Sequence, residues 1–278
     1  MKNDGKENFF SGIDQVDLYL GEEIIKFPVF YRRARAYVAT FPASIIALKR
    51  LLPDPRFTPA QVFPGIGVIS LAAFEYYDTD IGPYNEFGIS VALNNPNMLK
   101  IPGYNLLGQL LQYNFYAYIH HLPVTTEIAL RGGVDFYNYP KFLASIDFID
   151  TAGQVKCELK EKDDLICRFY GNKIPATKNT LMKFFCHLYQ YKQPQYVEFK
   201  INALEYGLSF NSGDVELEIG TSHPVALELA NTVLSKRAMM YIYIPRMEAI
   251  LYGPEHLTAP LLKFVLEEGM KLPQNISK

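Results

Sequence analysis

Residues 65–97 read GIGVISLAAFEYYDTDIGPYNEFGISVALNNPN, two apolar and aromatic runs separated by the turn-forming stretch DTDIGPYN. Within each run, large apolar side chains recur close to every second residue. A period of two is typical of strands, because successive side chains point to opposite faces of a sheet. The stretch therefore predicts two adjacent antiparallel strands joined by a turn.

The same pattern extends over residues 61–212, where short runs of β-branched and aromatic residues alternate with Gly, Pro, Asn and Asp. Such runs, with turn residues about every 8 to 12 positions, indicate an antiparallel sheet or barrel. The predicted fold class is α+β and mainly β. Because no stretch of linker composition and no internal repeat divides this region, the simpler interpretation is one domain.

Helices are predicted near both ends of the chain. In FPASIIALKRLLPDP, residues 41–55, Thr40 can cap the helix, Pro42 suits its first turn and Pro53 stops it. The second, at about residues 258–270, is amphipathic and forms the C-terminal helix.

Other segments leave the choice between helix and strand open. The periodicity of residues 176–192 and of residues 223–231 fits either one, whereas residues 241–253 predict an apolar strand interrupted by a proline. Residues 1–26 are expected to form an N-terminal extension whose apolar patch, residues 16–25, could dock on a single domain of residues 27–278.

Composition argues against several classes of function. The 278 residues are 49% hydrophobic and 20% charged, and the 27 Lys and Arg are dispersed in a chain of net charge −2. This argues against a nucleic-acid partner or an anionic membrane surface. No signal-like segment and no run of about 18 apolar residues occurs, so we expect a cytoplasmic protein with its three cysteines reduced.

The common cofactor and metal motifs are missing from the sequence. It has no dinucleotide-binding GxGxxG, no P-loop, no HExxH and no GxSxG. His120 and His121 are adjacent, so on a regular strand they would face opposite sides and could not easily bind one ion. We therefore predict neither a metal nor a cofactor.

Lys141 stands in an unusual setting, within VDFYNYPKFLASIDF, residues 134–148. A free lysine has a pKa of about 10.4, so few molecules carry the neutral amine that attacks a carbonyl. Apolar burial can favour that neutral form, and Tyr139 and Phe142 are suitable neighbours. The alternative is a lysine at a barrel rim with its ammonium in water.

Glu75 and Glu86 lie in the two runs on either side of the DTDIGPYN turn. Adjacent antiparallel strands could present both carboxylates to one space, where they could act in acid and base chemistry. Surface glutamates are the alternative that the residues leave open.

Four segments together resemble the acetoacetate decarboxylase family. YNYPKFLAS, residues 137–145, is similar to its YPKKLG signature. The other three follow the family's order: LKRLLPDP at 48–55, FE at 74–75 followed by YNEFG at 84–88, and IPRMEAILYG at 244–253.

This resemblance implies a closed, cone-like antiparallel β-barrel with a few peripheral helices, assembled as a homo-oligomer. Lys141 would form a Schiff base with the ketone of a keto-acid substrate, and Glu75 and Glu86 would orient the substrate or relay protons. The resemblance also implies that an arginine binds the substrate carboxylate, Arg35 or, in its place, Arg33. Tyr139 and Phe142, the aromatic neighbours of Lys141, are predicted to contact the substrate as well.

Two departures from the family pattern bear on the reaction. Phe142 replaces the family's second lysine, and GVD at residues 133–135 replaces its GRE. In acetoacetate decarboxylase itself the lysine is activated by desolvation or by a neighbouring cation, so loss of a cation weakens the electrostatic part of that activation. The prediction is a cofactor-independent lyase that decarboxylates a β-keto acid. A Schiff-base aldolase or dehydratase, and a non-catalytic small-molecule-binding barrel, are the alternatives.

Overall fold

The structure is a computed structural model that describes residues 9–253. The predicted C-terminal helix at 258–270 lies outside the described residues. The strands are β1 Val16–Leu20, β2 Glu23–Phe27, β3 Val29–Ser44, β4 Gln61–Phe63, β5 Ile66–Thr79, β6 Tyr84–Ala92, β7 Asn114–His121, β8 Ser145–Asp150, β9 Gln154–Glu161, β10 Asp164–Asn172, β11 Lys178–Gln190, β12 Gln193–Ser209, β13 Val215–Ile219 and β14 Met240–Leu251. The helices are α1 Ile45–Leu51, α2 Tyr104–Gln112, α3 Glu127–Tyr137 and α4 Pro224–Thr232.

Seven strands form a closed barrel in the order β3, β14, β12, β11, β7, β6, β5, and the pairing of β5 with β3 closes it. The predicted closed, mainly β fold is confirmed. One pair differs from the antiparallel expectation, since β7 and β11 run parallel. A parallel pair needs a long crossover between its strands, and here the crossover contains α3 and the sheet of β8, β9 and β10.

The barrel wall separates two apolar cores. Along β5, Ala72, Phe74 and Tyr76 face the barrel interior, whereas Leu71 and Ala73 face outward. The outward face packs against a second sheet, in the order β13, β10, β9, β8. The alternation that predicted the strands therefore reflects two cores, one on each side of the wall.

The first helix begins later than the sequence predicts. Strand β3 continues through Thr40 and Pro42, and the helix cap is Ser44, whose Oγ accepts a hydrogen bond from the Ala47 N–H at 3.4 Å. The predicted start is wrong because the strand pairing of β3 with β5 extends to Ser44. The predicted stop at Pro53 agrees with the end of α1 at Leu51.

Two helices interrupt the region predicted to be β. In α2, apolar residues recur at helical spacing, but the helix has only nine residues, and so short a run does not distinguish a helix from a strand. In α3, Gly132 and Gly133 disfavour a helix by propensity alone. Tertiary packing overrides that preference, because Gly132 lies against Ile25 and Gly133 lies against Lys141.

The remaining segments resolve as follows. Residues 176–192 contain β11, and residues 224–231 lie in α4, with His223 as its N-cap. β14 continues through Pro245 with a shift in register against β3. The patch at 16–25 forms the β1–β2 hairpin and buries Leu18 and Ile25 in the barrel-side core.

His187 on β11 provides a test of the packing at the barrel surface. Its ring lies 5.7 Å from the ring of Tyr196 and 5.9 Å from that of Phe57, and burial lowers its pKa from 6.5 to about 4. The unfolded chain takes up this proton near pH 6.5, before the folded protein does, so folding stability is lost as the pH falls from about 6.5 to 4.

A His187→Phe variant is expected to lose less stability over this range, by on the order of 2 kcal/mol. Urea denaturation at pH 7 and pH 4 measures the difference for both proteins. Equal losses of stability in the two proteins would contradict the lowered pKa of His187.

Candidate active site

A cavity of about 400 Å³ occupies the barrel interior. Its lining is mostly apolar and aromatic. Among the described residues that line it, Lys141 and Glu86 are the only charged ones. A mainly apolar cavity with a few convergent polar groups is the usual form of a small-molecule site.

Lys141 enters this cavity from the irregular segment between α3 and β8. Asn138 ends α3 in a left-handed conformation, φ 52°, which turns the chain. The segment is then held against residues 122–124, because the Pro140 carbonyl accepts from the Leu122 N–H at 3.1 Å and the Phe142 carbonyl accepts from the Val124 N–H at 3.0 Å. Lys141 is thus on a well-anchored backbone, although not on a strand.

Gly133 makes room for the lysine side chain. A methyl group at this position would overlap Cδ and Cε of Lys141 and would lie 3.1 Å from Nζ. The absence of a side chain on this face of α3 lets the lysine stem pass across the helix toward the cavity.

Lys141 and Glu86 form a buried pair. Lys141 Nζ donates to Glu86 Oε2 at 2.7 Å, and the two side chains are 6% and 11% exposed. Glu86 lies on β6 with its side chain directed inward. The pair places a nucleophilic nitrogen next to a carboxylate that can accept its proton.

Tyrosines surround this pair. The Tyr76 hydroxyl donates to Glu86 Oε1 at 3.4 Å, and the hydroxyls of Tyr31 and Tyr84 are 3.2 Å apart. Burial, followed by the nearby Glu86 carboxylate, raises the pKa of all three phenols well above the ordinary value. They are therefore neutral hydrogen-bonding groups at physiological pH.

A second, smaller void of about 30 Å³ lies beside Lys141, under the β1–β2 hairpin and α3. This volume is about that of one water molecule. Tyr137 also lines it, and the Tyr137 hydroxyl is buried with no hydrogen-bond partner among residues 9–253.

Glu75 does not share the cavity with Glu86, so the prediction that both carboxylates face one space is wrong. In the β5–β6 ladder, Phe74 is the partner of Glu86, and Glu75 is the partner of Asn85. Directly paired residues share a face and successive residues alternate. Phe74 therefore lies inside with Glu86, and Glu75 lies on the outer face of the wall.

Arg35 lies on that outer face too. Its Nε donates to Glu75 Oε2 at 2.5 Å, and its Nη atoms donate to both oxygens of Asp150 on β8. Arg33 is exposed, with its guanidinium 5.4 Å from the centre of the Tyr77 ring. Neither arginine lines the cavity, which corrects the prediction that one of them holds the substrate carboxylate there. Arg35 instead links the barrel to the second sheet.

Of the two aromatic residues predicted to contact the substrate, one lines the cavity and the other does not. Tyr139 lines the cavity, with its ring stacked 5.3 Å from that of Tyr137. Phe142 packs against the core outside the barrel and near His121, so it is not a cavity residue. Because Phe142 faces away from Lys141, a lysine at position 142 would not point into the cavity.

The sequence did not single out Tyr76, Tyr31 or Cys186 as cavity residues. Nothing in the local sequence marks them, because their inward direction depends on strand register. Burial raises the pKa of Cys186 to about 12, so its thiol stays protonated and is a poor nucleophile.

His120 and His121 both contact one carboxylate, contrary to prediction. Their Nε2 atoms lie 2.6 and 3.0 Å from Glu228 Oε1. The reason is a shift of register between β6 and β7, where Ile89 pairs with His121 and Ser90 with Ile119, so His120 is an extra residue that breaks the alternation. The hydrogen bonds from the histidines lower the pKa of Glu228 to about 2. These three side chains place potential metal-binding atoms within 4.8 Å of one another, outside the cavity lining.

The sequence model of the family described as acetoacetate decarboxylase (ADC) matches residues 19–245, which include the Lys141 segment and every described lining residue of the cavity except Leu251. The chain belongs to this family. Family membership supports an enzyme. A search of curated protein sequences finds no match.

Solved structures of similar fold agree with this assignment. A crystal structure of acetoacetate decarboxylase from Legionella pneumophila has a TM-score of 0.55 at 14% identity, covering 81% of this chain and 86% of that one. The enduracididine biosynthesis enzyme MppR complexed with pyruvate has a TM-score of 0.53 at 11% identity, covering 82% and 88%. At these identities the likeness shows the acetoacetate decarboxylase fold. In residues 9–253, no helix has the length and apolarity to span a membrane.

Proposed function

We propose that the protein is a cofactor-independent lyase that forms a Schiff base between Lys141 and the ketone of a β-keto acid, and that it releases carbon dioxide. The observation that carries this proposal is the buried Lys141 Nζ, 2.7 Å from Glu86 Oε2, in a cavity of about 400 Å³ whose described lining holds no other charged residue. Membership of the acetoacetate decarboxylase family supports it.

The reaction begins with a proton transfer. Glu86 accepts a proton from the Lys141 ammonium, and the neutral amine attacks the substrate ketone to form a carbinolamine. Glu86 then returns the proton to the carbinolamine hydroxyl, which leaves as water. The product of this step is an iminium ion between Lys141 and the substrate.

The iminium ion withdraws electrons from the bond between the substrate's α-carbon and its carboxylate carbon. That bond breaks, carbon dioxide leaves, and its electron pair forms an enamine. A proton then adds to the enamine carbon, and water hydrolyses the imine to release a ketone and restore the amine. The void of about 30 Å³ beside Lys141 is suited to hold that water.

The charge of the cavity restricts where the substrate carboxylate can bind. No described arginine lines the cavity, so the iminium ion itself is the cation nearest to the carboxylate of a β-keto acid. Before the Schiff base forms, the Lys141 ammonium is the corresponding cation, so the lysine nitrogen supplies the positive charge in both states.

A second candidate is a Schiff-base aldolase or dehydratase. The described lining has no second cation to bind a substrate carboxylate. This favours an aldolase or dehydratase, because such a reaction does not require a carboxylate next to the ketone. MppR, of similar fold, has been solved with the condensation product of pyruvate and imidazole 4-carboxaldehyde.

Product analysis tests the choice of reaction. Incubation with a β-keto acid is expected to release carbon dioxide and the corresponding ketone in equal amounts, faster than in the presence of a Lys141→Met variant. Covalent trapping of the substrate without carbon dioxide would contradict decarboxylation and support the aldolase or dehydratase. Binding without trapping would support a non-catalytic barrel.

The cytoplasmic location and the homo-oligomer stay predictions from the sequence and from the family resemblance. Light scattering coupled to size-exclusion chromatography measures the oligomeric state.

A further inference from the structure

We propose that the substrate carries a long apolar tail, so that the protein acts on medium- or long-chain keto acids rather than on acetoacetate. This inference rests on the proposed function and specifies its substrate class. It follows from the size of the cavity, from its direction relative to Lys141 and from the chemistry of its walls.

The cavity is much larger than a short keto acid requires. An apolar protein cavity of about 150 Å³ accommodates benzene, so by proportion a cavity of 400 Å³ accommodates roughly sixteen non-hydrogen atoms. A keto-acid head group takes fewer than half of these. The remaining space corresponds to an alkyl chain of roughly ten carbons.

The cavity extends away from Lys141 along the strands. On β5 the lining residues run from Tyr76 to Val68, about 26 Å along the strand, and on β6 they run from Glu86 to Ala92, about 20 Å. The charged pair is at the buried end of this path. A substrate whose carbonyl meets Lys141 therefore directs its tail toward Val68 and Ala92.

The walls beyond the charged pair suit methylene groups. Small residues keep the middle of the barrel open, among them Ala72, Gly88 and Ala117. Ser70 and Ser90 are direct partners across the β5–β6 ladder and both line the path. Because no charge lies on this path among the described lining residues, an alkyl tail gains from leaving water without displacing an ion pair.

The far end of the cavity reaches the surface at an apolar rim. Two of its lining residues are strongly exposed, Leu107 on α2 at 55% and Phe210 after β12 at 63%. At the other end, Tyr76 and Tyr139 are buried. The entrance and the amine thus lie at opposite ends, which admits a substrate head first with the tail trailing toward the rim.

The test compares acetoacetate with 3-oxododecanoate. We expect kcat/KM of the wild-type protein to be at least about 100-fold higher for the longer acid. A Ser90→Leu variant narrows the path and is expected to lower this long-to-short ratio at least about tenfold, whereas Ser90→Ala, the matched control, is expected to keep it within about threefold. A ratio near or below one in the wild-type protein would overturn the inference and leave the Schiff-base proposal intact.

A binding measurement separates the two proposals. Titration of the Lys141→Met variant with 2-undecanone is expected to show saturable binding in calorimetry, and Ser90→Leu added to that variant is expected to weaken it at least about tenfold. Binding of this ketone without turnover of either acid by the wild-type protein would refute the proposed function while supporting an apolar-tail site. Absence of binding in Lys141→Met would refute the tail site.

Discussion

Replacing Lys141 with methionine is expected to abolish imine formation and to reduce decarboxylation to the uncatalysed rate. Methionine retains an unbranched apolar side chain in the space beside Gly133 and Tyr139 but removes the nucleophilic nitrogen. The rate of carbon dioxide release and the mass of the borohydride-treated protein measure the effect. A Lys200→Met variant, which changes a lysine on β12 that does not line the cavity, is the control and is expected to keep both.

The same substitution is expected to lower the free energy of unfolding by about 3 kcal/mol. It leaves the Glu86 carboxylate, 11% exposed, without its ammonium partner. Adding Glu86→Gln removes the unpaired charge, so the double variant is expected to recover most of this loss while staying inactive. Urea denaturation at pH 7 measures all three proteins. Equal stability of the wild-type and Lys141→Met proteins would show that the pair is not buried as described.

Gly133→Ala is expected to reduce kcat/KM about 100-fold and to destabilise the fold less than Lys141→Met does. The added methyl group would overlap Cδ and Cε of Lys141, whose flexible side chain must move aside and carry Nζ away from Glu86. Alanine also has the higher helix propensity in α3, by about 1 kcal/mol. The rate of carbon dioxide release at low substrate concentration and the thermal midpoint measure the two effects.

Gly132→Ala is the matched control, because it makes the same change one residue earlier on the same helix. Its methyl group would lie 3.2 Å from Cδ1 of Ile25 and does not reach Lys141. We expect its activity to stay within about threefold of the wild-type value. If both variants lose activity equally, the effect comes from α3 as a whole and not from the position of the lysine side chain.

Periodicity in the sequence was sufficient to predict the main strands, but not the register between them. The turn between β5 and β6 fixes which residues are paired, and a shift of one residue exchanges the faces of every side chain. Glu86 is therefore inside with Phe74, and Glu75 is outside with Asn85. The two glutamates have similar neighbours in the sequence, but the register between β5 and β6 places them on opposite faces of the barrel wall.

The helix α3 and the histidine pair show two further limits. Gly132 and Gly133 disfavour a helix locally, yet they permit the close approach of Ile25 and Lys141, which are distant in sequence. The alternation rule separates His120 from His121, and an irregular register in β7 brings them together at Glu228. Both failures arise where a tertiary contact overrides a local preference.

The most direct test of the central claim is to locate the adduct that borohydride traps with a β-keto acid. Borohydride reduces the imine to a stable secondary amine, so the intact mass of the wild-type protein is expected to rise by one substrate-derived group. Peptide mapping is expected to find this group on Lys141. An adduct on a different lysine, or no adduct with short and long keto acids alike, would contradict the account.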